Sequence, residues 1–198
     1  MVTGIATIAA VLGIIAMLVA SVRYEYAMTN YGFSQGDIGK AMVTFSETRS
    51  ALRAVVGYDE EDMIEAQVSL HDQKKEAFET YLKDIESTMV FPQAKEAYNT
   101  LVTDLDGYWD IDAEVLELAT SSSDDGYLKA QEIDTGELSP QYDKIYQDLA
   151  TLMDLNVQKG DASKASLHNM ELIFMIVIIA VIVVCIVISI RIGNTMAV

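Results

Sequence analysis

Two uncharged apolar runs bracket a long polar middle in this chain. Leu172 to Ile190 is unbroken and carries one hydroxyl, Ser189, and no charge. At 1.5 Å per residue it is long enough to cross a bilayer core of about 30 Å. Met1 to Val22 is a second uncharged apolar stretch, softened by Gly4, Gly13 and several alanines. It lacks a basic leading segment, and its apolar run exceeds that of a cleaved signal peptide, so a retained span is expected. A polar segment with both ends tied to one membrane face suits a sensor better than a catalyst.

Between the spans, apolar residues recur in alternating steps of three and four, the period of a packed helix. Ile38, Met42, Phe45, Arg49, Leu52 and Val56 form one seam, beside a stripe of small residues, Ala41, Thr44, Thr48, Ala51 and Val55. A turn is expected at Gly57 to Glu60. A second helix follows Ile64, Val68, His71, Lys75, Phe78, Leu82, Ile85 and Met89. Pro92 suits the first position of a third helix, with Ala94, Tyr98, Leu101, Leu105, Tyr108, Asp112, Val115 and Ala119 on its seam. Ser121 to Gly126 reads as a loop. Ser139-Pro140 reads as an N-cap followed by proline at N1, opening a fourth helix with Tyr142, Ile145, Leu149, Leu152 and Asn156. Residues 123–138 are left as a distal crossover with a short helix around Tyr127 to Ile133. The expected fold is all-α: an antiparallel four-helix bundle flanked by two transmembrane helices. The expected domains are a first span at 1–22, a sensor domain at 23–171, a second span at 172–190 and a connector from 191 to 198.

Charge narrows the partners. The segment from Tyr24 to Glu171 holds all 30 acids and 11 of the 13 Lys/Arg, a net charge of −19. That argues against nucleic acid and against lying on anionic lipid. Cys185 is the only cysteine and lies in the second span, so the polar segment has no disulfide. Arg191, directly after that span, fits a cytoplasmic flank, and Tyr24, Tyr26, Tyr31 and Phe33 fit an interfacial belt on the other face.

Polar residues inside apolar seams are the candidate chemistry. Helix counting puts Arg49, His71 and Asp112 at one level, with Tyr146 opposite on the fourth helix, all within roughly 5 Å of height. One reading is structural, with Asp112 answering the charge of a buried Arg49. The other is a ligand site, with Arg49 and Arg53 gripping a carboxylate in bidentate fashion and His71, Asp112, Tyr142 and Tyr146 around it. His71 and His168 make a poor metal pair, and Asp59-Glu60-Glu61-Asp62 lacks the spacing of a calcium loop. No nucleophile has an evident base, so no enzyme, catalytic residue, metal or cofactor is expected.

The stretch Tyr31-Gly32-Phe33-Ser34-Gln35-Gly36-Asp37-Ile38-Gly39-Lys40, the segment Thr48-Arg49-Ser50-Ala51-Leu52-Arg53, Leu152 to Asn156, and the exit Ile188-Ser189-Ile190-Arg191-Ile192 resemble the sensor module of a bacterial methyl-accepting chemotaxis receptor. The resemblance covers nearly the whole chain. It implies a homodimeric two-pass receptor of the cytoplasmic membrane with the bundle outside. A small-molecule ligand or a periplasmic binding protein would shift the last helix and second span, and a cytoplasmic region beyond a HAMP-like connector would regulate a kinase. Family ligands are held by arginines of the first bundle helix, a position that Arg49 and Arg53 match. The small stripe from Ala41 to Val55 is the expected surface for the partner's first helix. Two alternatives stay open: the input module of a membrane histidine kinase or diguanylate cyclase, and a non-sensory membrane-anchored helical stalk.

Overall fold

The structure, a computed structural model, describes residues 2–121 and 123–196. Its elements are α1 (Val2–Ala27), a π turn (Met28–Gly32), α2 (Phe33–Gly57), α3 (Glu61–Ser87), α4 (Pro92–Ala119), α5 (Asp124–Ile133), a second π turn (Asp134–Leu138) and α6 (Ser139–Met196). No strand occurs among the described residues. The chain falls into two compact units. One comprises the N-terminal segment to Thr29 together with the chain from Lys159, and the other is Asn30–Gln158.

The first unit has the surface that a bilayer requires. Two helical stretches, within Ala10–Gly57 and Asp124–Ile192, contain segments long and apolar enough to cross a membrane. Met17, Leu18, Ile173, Ile176 and Ile190 turn at least half of their surface outward, which is costly in water and neutral in lipid. The Ser189 hydroxyl is satisfied within its own helix, donating to the Cys185 carbonyl at 2.8 Å. The connector expected at 191–198 is helical to Met196, and its last two residues lie outside the described ones.

The second unit is built on the seams. Ile38, Phe45, Leu52, Phe78, Ile85, Leu101, Leu105, Tyr108, Ile145, Leu149 and Leu152 are all essentially inaccessible. Full burial of such side chains contributes roughly 1.5–3 kcal/mol each. Local chemistry sets the ends. Pro92 occupies the start of α4 after an extended Phe91 (φ −124°, ψ 152°). Ser123 caps α5 by accepting the Gly126 N–H at 2.9 Å. At the α3–α4 turn, Thr88 donates to Ser34 of α2 at 2.8 Å.

Two expectations are corrected here. The fourth helix, α6, opens at Ser139 as expected, but Ser139 is not an N-cap that starts a new helix after a break. Ser139 is helical (φ −60°, ψ −46°) and its N–H bonds to the Asp134 carbonyl, five residues back. The region expected to be a crossover is therefore helix α5 leading through a π turn into α6. Proline lacks an N–H and crowds the carbonyl four residues earlier; the wider π turn immediately before Pro140 accommodates it without ending the helix. α4 ends at Ala119, just before the loop expected from Ser121, and α5 already begins at Asp124 inside that expected loop.

The small stripe is the second correction. Ala41, Thr44, Thr48, Ala51 and Val55 are buried inside the bundle, at 9% exposure or less, and do not form an outer surface for a partner. Their size lets α2 and α3 run close together along their length. Thr44 and Thr48 need no outside partner, because each hydroxyl donates to a carbonyl four residues back at 2.9 Å. The outward face of α2 is instead Gly36, Val43, Ser50, Arg53 and Gly57.

Candidate functional site

A polar layer crosses the core of the second unit. On α2 and α4 the registers are locked by Phe45 and Tyr108, whose rings lie 5.0 Å apart. One turn further along each helix stand Arg49 and Asp112, so both reach the same level. Arg49 is 3% exposed and Asp112 1%. They do not answer each other.

Arg49 is taken by the second π turn. One terminal nitrogen pairs with the Asp134 carboxylate. The other donates to the Asp134 carbonyl at 3.1 Å and to Ser139 Oγ at 2.8 Å. Ser139 in turn donates to that same carbonyl at 3.0 Å. Arg53, a turn further along α2, donates to Ser139 Oγ at 3.1 Å and lies 3.8 Å from the second Asp134 oxygen. Its side chain remains 58% exposed. The expected Arg49–Asp112 pair is thus replaced by Arg49–Asp134. Asp134 is not legible as a partner in the sequence, because its segment reads as a crossover.

Asp112 is met from α3. His71 Nε2 lies 2.9 Å from Asp112 Oδ2, and His71 Nδ1 lies 3.1 Å from Asp72 Oδ1. Burial works against charge on the imidazole, but the hydrogen bonds and charges of Asp112 and then Asp72 outweigh it and raise His71 above 6.5. The Tyr108 hydroxyl is also pushed up, by burial first and then by the Asp112 charge, with Arg49 acting in the opposite direction. Lys75, one turn along from His71, places its Nζ 4.3 Å over the ring of Trp109, which lies three residues before Asp112.

The two tyrosines of the expected site lie lower. Tyr142 stacks on Phe45 (5.1 Å, 9° between planes) and shares a 2.7 Å hydrogen bond with Ser46. Tyr146, 6.1 Å from Tyr142 between ring centres, is 39% exposed. It does not reach the Arg49 level, because the continuous α5–α6 helix places the residues near Leu138 there instead. Of the six expected residues, Arg49 and Arg53 converge on one element, His71 and Asp112 pair with each other, and the tyrosines form a separate aromatic step.

Arg53 is therefore the guanidinium open to solvent, while Arg49, His71 and Asp112 are enclosed. Elsewhere a cleft of about 680 Å³ is lined by Asp59, Glu61, Ile64, Glu65, Val68, Ala119 and Thr120. No group of three or more His, Cys, Asp or Glu is placed to hold a metal among the described residues.

The four-helix fold agrees with the comparison to known families. Residues 33–171, more than half of the chain, match the four-helix-bundle sensory module for signal transduction. The chain belongs to that family, the sensory module of methyl-accepting chemotaxis receptors. No curated protein and no solved structure matches it.

Proposed function

We propose that this chain is the extracytoplasmic sensing and transmembrane signalling module of a chemoreceptor. Residues 1–22 and 172–190 are its two membrane passes, 23–171 its outer domain, and the segment from 191 the start of the cytoplasmic connector. It acts as a homodimer in the cytoplasmic membrane, and a small carboxylate or amino acid is its stimulus. The observation that carries this reading is the grip of Arg49 and Arg53 on the π turn that leads into α6. With Arg49 committed to Asp134, Arg53 and the Ser139 hydroxyl are the groups that a ligand carboxylate meets. Competition for Asp134 or Ser139 changes how the π turn is held. A π turn can shed its extra residue, advancing or rotating the helix that follows by a small step. Such a step in α6 is the signal passed to a cytoplasmic kinase. The same input could drive a histidine kinase or a diguanylate cyclase; the family match supports sensing and does not choose among outputs.

The test is a thermal melt of the full chain in detergent against amino acids, short carboxylates, amines and divalent cations. A ligand at about 100 times its dissociation constant adds roughly 2.7 kcal/mol to stability. A carboxylate shift that vanishes in Arg53→Ala, a variant that folds normally because Arg53 is exposed, is the expected result. A shift only with amines or cations, or one untouched by Arg53→Ala, overturns this site.

A further inference from the structure

The His71 neighbourhood has a property that ligand sensing does not use. Both ring nitrogens face carboxylate oxygens, at 2.9 Å to Asp112 and 3.1 Å to Asp72. An ionised carboxylate only accepts hydrogen bonds, whereas a neutral imidazole has one donor nitrogen. Both contacts are satisfied together when the ring carries two protons and a positive charge. We propose that His71 is a proton-binding site of the bundle, an imidazolium bridging Asp72 and Asp112, whose deprotonation loosens α3 from α4 around Trp109.

The surroundings leave this cation without a substitute. Asp112 is 1% exposed, and its other oxygen, Oδ1, has no donor among the described residues. On α2, Arg49 is turned to Asp134 and Ser139, and Glu47 is paired with Lys74 of α3 at 2.8 Å. On the second π turn Asp134 is held by Arg49. On α3 itself Lys75 lies over Trp109. On α4 the buried Tyr108 phenol feels the Asp112 charge. His71 is thus the counter-charge of Asp112.

The order of events on raising the pH follows from exposure. Asp72 is 67% exposed at its side chain and can turn to water, so the proton leaves Nδ1 first. Nε2 keeps its hydrogen and its bond to Asp112. The Asp112 carboxylate is then buried opposite a neutral ring, which favours admitting water or parting the helices. Trp109 lies one turn from Asp112, and Lys75 one turn from His71. Trp109 is the only tryptophan in the chain, so its fluorescence reads the α3–α4 contact directly.

The experiment uses the full chain in detergent micelles. Nitrogen-15 spectra of the imidazoles are followed with pH, the chain's two histidines being told apart with His168→Asn. Trp109 emission is recorded on the same samples. The expected result is a His71 ring with both nitrogens protonated at pH 6, a midpoint above 6.5, and a Trp109 transition at that midpoint. In His71→Gln the Trp109 transition is lost. In Asp72→Asn, a change at an exposed position, the two midpoints fall together toward 6.5. An unprotonated ring nitrogen at pH 6 overturns the proposal. So does a Trp109 transition that persists in His71→Gln. Should that variant not fold, a Trp109 midpoint that stays in place in Asp72→Asn while the His71 midpoint moves also overturns it.

Discussion

Arg49 holds Asp134 twice, through its carboxylate and through its main-chain carbonyl at 3.1 Å, 85 residues further along the chain. A single guanidinium thereby ties α2 to both the side chain and the backbone of the second π turn. The pair is nearly dry, with side-chain exposures of 4% and 8%, and Arg49 Nε is buried with no acceptor among the described residues.

Removing one member strands the other. Arg49→Ala or Asp134→Ala should each lower the unfolding free energy by about 3–5 kcal/mol, whereas the paired change Arg49→Met with Asp134→Leu should recover most of that loss. Urea denaturation of the four proteins checks this. Near-additive losses in the double variant would mean that the two side chains do not act as a pair.

Two glycines beside the helix turns should respond in opposite directions. A Cβ on Gly136, in the π turn, meets nothing within 4 Å, so Gly136→Ala should stabilise the chain by about 0.5–1 kcal/mol through the unfolded state. A Cβ on Gly126 would meet Ser121 Oγ at 2.2 Å, Ser123 Oγ at 2.7 Å and the Leu118 carbonyl oxygen at 3.0 Å. Gly126→Ala should therefore break the Ser123 cap, costing about 1 kcal/mol or more, with the melting temperature as readout.

Asp104 and Asp148 stand together between α4 and α6. Each has a buried oxygen with no donor among the described residues, and Lys144 Nζ reaches the remaining Asp104 oxygen at 2.6 Å. Burial and then the hydrogen bond to Asp104 raise Asp148 above 3.8. A group raised in the folded state stabilises below its unfolded value and loses that contribution as the pH climbs through its folded value. Asp148→Asn should thus melt higher than the parent near pH 7. The gap should close toward about pH 4, where the parent is protonated.

The same linkage applies to His71 with its own window. Its folded value lies above 6.5, so its stabilisation is complete below 6.5 and is lost as the pH rises through the raised value. The melting temperature should fall across that interval in the parent and in His168→Asn. It should stay flatter in His71→Gln, as calorimetry over a pH series would register.

Hydrophobic periodicity determined much of this protein. The two apolar stretches long enough to cross a membrane, the four long helices, the core residues from Ile38 to Leu152 and the opening of α4 at Pro92 follow from run length, from spacing and from proline's missing N–H, which are properties of adjacent residues. Arg49, His71 and Asp112 stand out as polar members of apolar seams for the same reason. Partnership is a different kind of fact. His71 meets Asp112, but Arg49 meets Asp134, because α5 passes into α6 through a π turn and brings Asp134 to the level where counting from a Ser139 cap had put Tyr146. Ser139-Pro140 carries the local chemistry of a helix start, and only the helix already formed upstream overrides it. The stripe from Ala41 to Val55 likewise reads as a close-packing face in sequence, since small residues permit close approach to any helix. That the approaching helix is α3 of the same chain was decided by the packing of the whole bundle.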